Sequence, residues 1–139
     1  MAEFLLKERT FQFSANLLKY FRSVSADKEF SILKIQLFRS ASSIGANISE
    51  GVSGSSEKEF SRYLKIALRS CNESNYWLRL ILEVYSKEID KVALAEFISE
   101  TEQIARILNK SIQTLSAKFA ANGSFSRKMM GNAEKSSSN

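Results

Sequence analysis

The stretch LKIQLFRSASSIGANI, residues 33–48, decides the fold. Its apolar residues Leu33, Leu37, Ala41, Ile44 and Ile48 recur at steps of four, four, three and four. An α-helix, with 3.6 residues per turn, gathers that spacing onto one side, whereas a strand would scatter it over both faces. The segment is read as an amphipathic helix from about Glu29 to Glu50 with one buried stripe. Gly51 stands where a helix commonly ends in a left-handed residue, a conformation glycine adopts at least cost. The loop Val52-Ser53-Gly54-Ser55 follows.

Downstream, Ser56-Glu57-Lys58-Glu59 has the spacing of a capping box, in which Ser56 and Glu59 satisfy backbone N–H groups at a helix start. Phe60, Leu64, Ala67, Cys71, Leu78, Leu82 and Tyr85 then share one face of a third helix. A fourth segment runs from about Lys91 to Ala120, with Asp90 as its N-cap. Its inner face is Leu94, Ile98, Ile104 or Ala105, Leu108, Ile112, Leu115 and Phe119. Upstream, a first segment from about Lys7 to Val24 presents Phe11, Leu17, Leu18, Phe21 and Val24. The polar break Ser25-Ala26-Asp27-Lys28 separates it from the second.

Four amphipathic helices on short loops predict an all-α, antiparallel up-down-up-down four-helix bundle over residues 1–122. The absence of proline among 139 residues fits long uninterrupted helices, because proline lacks the N–H donor and clashes with the preceding turn. Asn122-Gly123 punctuates the end, and the Ser-rich remainder, 123–139, is expected to be a disordered polar tail.

Composition narrows the chemistry. There is no histidine, which removes the commonest metal ligand and the commonest general base at neutral pH. The single cysteine, Cys71, has no internal disulfide partner and implies a reducing, cytoplasmic setting. No apolar run approaches the roughly 20 residues that span a bilayer. No catalytic residue, metal ligand set or cofactor motif is expected. The net charge of +5 is compatible with nucleic acid or another acidic partner.

Three features of the helices bear on function. On the third helix Lys58, Arg62, Lys65 and Arg69 step by four, three and four, a basic stripe opposite the core stripe. Such a stripe either tracks a phosphate backbone or forms a solvated face paired with Glu59 and Glu73. Arg127 and Lys128 add charge in the tail. Ile66, Trp77 and Leu80 form a second apolar seam on the same helix, read either as an oligomer interface, the preferred reading, or as a broad core contact within the bundle. The small residues Ser40, Ala41, Ser42, Ser43, Gly45, Ala46, Ser49 and Gly51 on the second helix are read as a surface for close helix packing.

Two stretches carry a resemblance. One is Gln36 to Asn47 (QLFRSASSIGAN) followed by Glu50; the other is Phe60, Ile66-Ala67-Leu68, Asn72-Glu73 and Tyr76-Trp77-Leu78-Arg79-Leu80. With Arg9-Thr10-Phe11-Gln12-Phe13, they resemble the bacterial family named for proteins encoded in intervening sequences of 23S ribosomal RNA genes. The resemblance spans roughly residues 7–119. It implies an antiparallel four-helix bundle that forms a ring-like homo-oligomer, commonly a pentamer, with no enzyme activity and no cofactor. Similar proteins include the accessory variability determinant of diversity-generating retroelements, which binds nucleic acid and a reverse transcriptase. Arg39, Asn47, Glu50 and Glu73 fall at family-pattern positions and are read as structural. The expected function is binding of RNA or DNA backbone through Lys58, Arg62, Lys65, Arg69, Arg127 and Lys128; a protein–protein scaffold is the alternative.

Overall fold

The computed structural model describes residues 2–54 and 56–136, side chains 124–126 and 133–136 excepted. Among these, four helices follow one another: α1 (Ala2–Phe21), α2 (Lys28–Val52), α3 (Glu57–Val84) and α4 (Lys91–Ser136). Each packs on its neighbours in chain order. The contact is most extensive between α2 and α3 and slightest between α1 and α4. Consecutive helices run antiparallel: Lys34 Nζ reaches the Phe21 carbonyl (3.1 Å), and Ser14 Oγ donates to the Ala41 carbonyl (3.0 Å).

The helix starts are set locally. Asp27 Oδ1 accepts the Phe30 N–H (2.9 Å), Ser56 Oγ accepts the Glu59 N–H (3.2 Å) and Asp90 Oδ1 accepts the Val92 N–H (2.9 Å). Each satisfies a donor that the first turn leaves without an intrahelical partner. The core stripe of α2 is as its spacing predicts, with Leu37, Ala41, Ile44 and Ile48 buried and Leu33 packed at the margin. On α3, Leu64, Ala67, Cys71 and Leu78 are buried, joined by Ile81 and by Tyr85 just past its end.

Three expectations change. On α1 the inner stripe is Leu6, Thr10, Phe13, Leu17 and Phe21, while Phe11 and Leu18 are 63% and 52% exposed. The helix carries apolar residues on two faces, and packing against α2 selects one of them. Gly51 does not end α2. It lies buried inside the helix, where an added Cβ would come within 2.9 Å of Phe60 Cδ2 and 3.0 Å of Tyr63 Cβ. Its missing side chain admits α3, and the positive φ falls on Gly54 (99°). Finally, α4 does not stop at Asn122-Gly123. With no proline to break it, the helix continues to Ser136. Beyond Leu115 its described side chains are exposed, so 123–136 extend the helix past the bundle rather than add to the core. Residues 137–139 of the expected tail lie outside the described residues.

Tyr85 ties the ends of α2 and α3 together. Its ring is buried against Phe30 (centroids 4.8 Å apart), and its hydroxyl donates to Asp27 Oδ1 at 2.6 Å. That hydrogen bond, followed by the one from the Phe30 N–H, holds the Asp27 carboxyl below its ordinary range. The same bond, then burial, pushes the Tyr85 hydroxyl up to about 12. The sign follows. A carboxylate pKa depressed by folding stabilises the fold above its ordinary value, and that contribution disappears as pH falls through the lower, folded value. A phenol pKa raised by folding stabilises below its ordinary value of about 10, and is lost as pH climbs through the raised one. Tyr85→Phe is therefore expected to move the acid-unfolding midpoint, followed by circular dichroism, to higher pH. An unchanged midpoint would show that the bond contributes nothing to acid stability.

Candidate nucleic-acid interface

Burying one face of α3 against α2 and α4 turns the opposite face to solvent. Lys58, Arg62, Lys65 and Arg69 are all exposed there. Their alternative role as a self-paired face does not occur. Among the described residues the ion pairs are Arg9–Glu100 and Lys118–Glu57, and none involves the stripe. Glu73 instead accepts the Trp77 indole N–H at 3.2 Å. The Arg62 guanidinium lies over the Tyr63 ring, 5.0 Å from its centroid. Four like charges within about three helical turns thus stand without an ion pair, an arrangement that attracts a polyanion.

The stripe borders a groove of about 640 Å³ between α3 and α4, with Lys58, Arg62 and Lys65 on one wall and Ser116 and Phe119 on the other. Phe119, expected in the core, is 36% exposed and sits at this wall. It is the residue that sequence reasoning missed. Its spacing matches the inner stripe of α4, but it lies at the end of that stripe, beyond Leu115, where α3 still runs alongside and leaves it at the wall of the groove rather than covered. Arg127 and Lys128 are also exposed but lie beyond Phe119 along the same helix, by about 12 Å at ~1.5 Å per residue. They are not gathered with the α3 stripe.

The second half of the α3 outer face is different. Tyr76 and Val84 are 58% and 57% exposed, and Leu80 shares a shallow groove with Tyr76 and Arg79. Ile66, Trp77 and Leu80 are half-buried, and the Trp77 ring packs against the core and edge-on to Tyr76 (5.2 Å). Along its length the face changes from cationic to mixed, with the apolar Tyr76, Leu80 and Val84 beside the exposed Glu73, Arg79 and Glu83. A separate apolar row, Phe4, Phe11 and Leu18, lies on the outer face of α1. The most extensive contacts place α1 and α3 at opposite corners of the bundle.

The family-pattern residues hold helices or solvate them. Asn47 Nδ2 donates to the Ser43 carbonyl (2.7 Å) and Ser43 Oγ (3.0 Å), while Arg39 and Glu50 are exposed. The small residues of α2 make a hydroxyl seam with α3: Ser40 Oγ is 2.8 Å from Ser74 Oγ, and Ser70 Oγ donates to Ser43 Oγ (2.9 Å). Gly45 lets α1 approach, since a Cβ there would meet Thr10 Oγ1 at 3.3 Å. Cys71 is buried, donates to the Thr101 carbonyl (3.1 Å) and has its thiol pKa pushed up to about 12 by burial, so it is held as an unreactive thiol. The Arg9 guanidinium makes a two-bond pair with Glu100 (2.6 and 3.1 Å), which bridges the loose α1–α4 seam across 91 residues of sequence.

Among the described residues no cluster of three or more Cys, Asp or Glu side chains could hold a metal ion, and no helix is long and apolar enough to cross a membrane. The family model described as 23S rRNA-intervening sequence protein matches residues 3–110. No curated protein matches. A crystal structure of a protein with unknown function from the S23 ribosomal protein family, from Bacteroides thetaiotaomicron, superposes with a TM-score of 0.69. The two are 28% identical over 81% of this chain and 99% of that chain.

Proposed function

This chain belongs to the 23S rRNA-intervening sequence protein family, and from that premise we propose that it is a non-enzymatic, cytoplasmic, homo-oligomeric bundle that binds RNA or DNA backbone through the cationic half of α3. The observation that carries the reading is the stripe Lys58, Arg62, Lys65 and Arg69, exposed and free of ion pairs. One stripe makes a weak site. Repeated around an assembly, it gains by avidity without any new contact.

Binding of a fluorescent generic RNA, followed by anisotropy across a salt series, tests this. Each phosphate neutralised on a single strand contributes roughly −0.7 to the slope of log K against log salt. No binding at low salt, or binding with no salt slope, rejects the reading.

The assembly is proposed to form through the apolar half of the α3 outer face, Tyr76, Leu80 and Val84 with the edge of Trp77, against the row Phe4, Phe11 and Leu18 of the next copy. Two different apolar surfaces at opposite corners suit a head-to-tail contact, which closes into a ring when the rotation permits. Leu80→Glu places a charge in that contact and is expected to convert the oligomer to monomers in light scattering. A wild-type chain that is already monomeric, or an unchanged mass for the variant, rejects the interface. The same exposed α1 row supports a second reading, a scaffold for another protein. A partner retained on pull-down after nuclease treatment favours that reading.

A further inference from the structure

We propose that the groove between α3 and α4 takes an unstacked base of a single-stranded nucleic acid, with Phe119 as the stacking face and Lys58, Arg62 and Lys65 on the flanking phosphates. The inference rests on the nucleic-acid reading above and adds the class of nucleic acid.

Its two walls carry different chemistry. One presents cations that serve any phosphate backbone, single or double. The other presents the partly exposed Phe119 ring, which a phosphate has no use for. An aromatic beside a basic track is the arrangement by which single strands are held, because every base has a π-face to stack and the backbone follows the charges. A duplex keeps its bases paired and stacked inside, so it meets the cations alone. The volume of about 640 Å³ lies within the range of about 300–1,000 Å³ typical of sites for small organic groups.

The surroundings of the groove agree with this use. Lys118, beside Phe119, pairs with Glu57 at the start of α3, which ties the two walls together at one end. That pair also neutralises Glu57 and leaves Glu59 as the carboxylate lining the groove. The exposed Ser116 supplies a hydroxyl that can bond a base edge or a sugar without imposing a sequence. Arg69 continues the cationic arc beyond the groove, so a strand with one base inserted keeps a track for its next phosphates.

The test uses the full chain, a fluorescent uridine 12-mer and the same 12-mer annealed to its complement, at one low salt concentration. Wild type is expected to bind the single strand tighter than the duplex. Phe119→Ala is expected to weaken single-strand binding about ten-fold, the loss of one stacked base, and to leave duplex binding and the salt slope as they were. Phe119→Tyr keeps the ring and restores binding. Glu59→Gln strengthens both. Thermal melts of the variants verify that the bundle is intact. Equal affinity for the two probes, or a Phe119→Ala loss that is absent or equal for both, overturns the inference and leaves backbone binding standing. Failure of the wild type to bind either probe overturns both.

Discussion

Phe21→Ala is expected to lower the unfolding free energy by about 3–5 kcal/mol, the range for truncating a fully buried phenylalanine. Phe21 is 0% exposed at the last turn of α1. Its ring lies 6.3 Å from Phe30, 6.2 Å from Phe38 and 4.9 Å from Tyr20, measured between centroids. Truncation leaves a hole among rings that are themselves held by neighbouring helices, so little of it can collapse. Since α1 touches α4 least, its attachment depends on the buried Phe13, Leu17 and Phe21, of which Phe21 faces Phe30 and Phe38 of α2 and Phe13 meets Phe97 of α4. Urea unfolding followed by helical circular dichroism would show the midpoint fall with an unchanged slope. The matched control is Phe11→Ala, at a 63% exposed position; with both variants placed on the monomeric Leu80→Glu background, so that the proposed contact between copies does not contribute, it is expected to change stability by no more than about 0.5 kcal/mol. If the two variants lose similar stability, the assignment of the inner face of α1 is wrong.

Reversing two charges of the stripe, Arg62→Glu with Lys65→Glu, is expected to weaken RNA binding by about 100-fold or more at low salt. Two phosphate contacts disappear and two repulsions take their place at the centre of the stripe. The salt slope flattens with them. Both residues are exposed and without ion pairs, so melting of the fold should barely move. Reversing Arg127 and Lys128 instead, on the extension of α4, is expected to cost much less, because that pair stands apart from the stripe. Undiminished binding by the α3 variant would place the interface elsewhere.

These two experiments address what local rules read differently well. The α3 stripe was legible because Lys58, Arg62, Lys65 and Arg69 stand opposite an unambiguous core stripe on the same helix. Their freedom from ion pairs was not legible, since Glu59 and Glu73 were equally near in sequence. Phe119 was misplaced for a related reason. Periodicity assigns a residue to a helix face but does not say how closely the neighbouring helix covers it at that level.

The order of the helices and the starts of α2, α3 and α4 were determined by the sequence itself, while α1 begins at Ala2, five residues before the expected Lys7. Caps at Ser56 and Asp90, the missing prolines and the core stripes of α2 and α3 act within a turn or two of chain, where the neighbours in sequence are the neighbours in space. Tertiary structure decided the rest: which of two apolar faces of α1 turned inward, that Gly51 admits Phe60 rather than ending α2, and that Arg9 finds Glu100. Two helix faces of similar hydrophobicity have similar transfer free energy. Only the fit of one of them against a particular neighbouring helix separates them, and that fit is a property of packed side chains from distant parts of the chain.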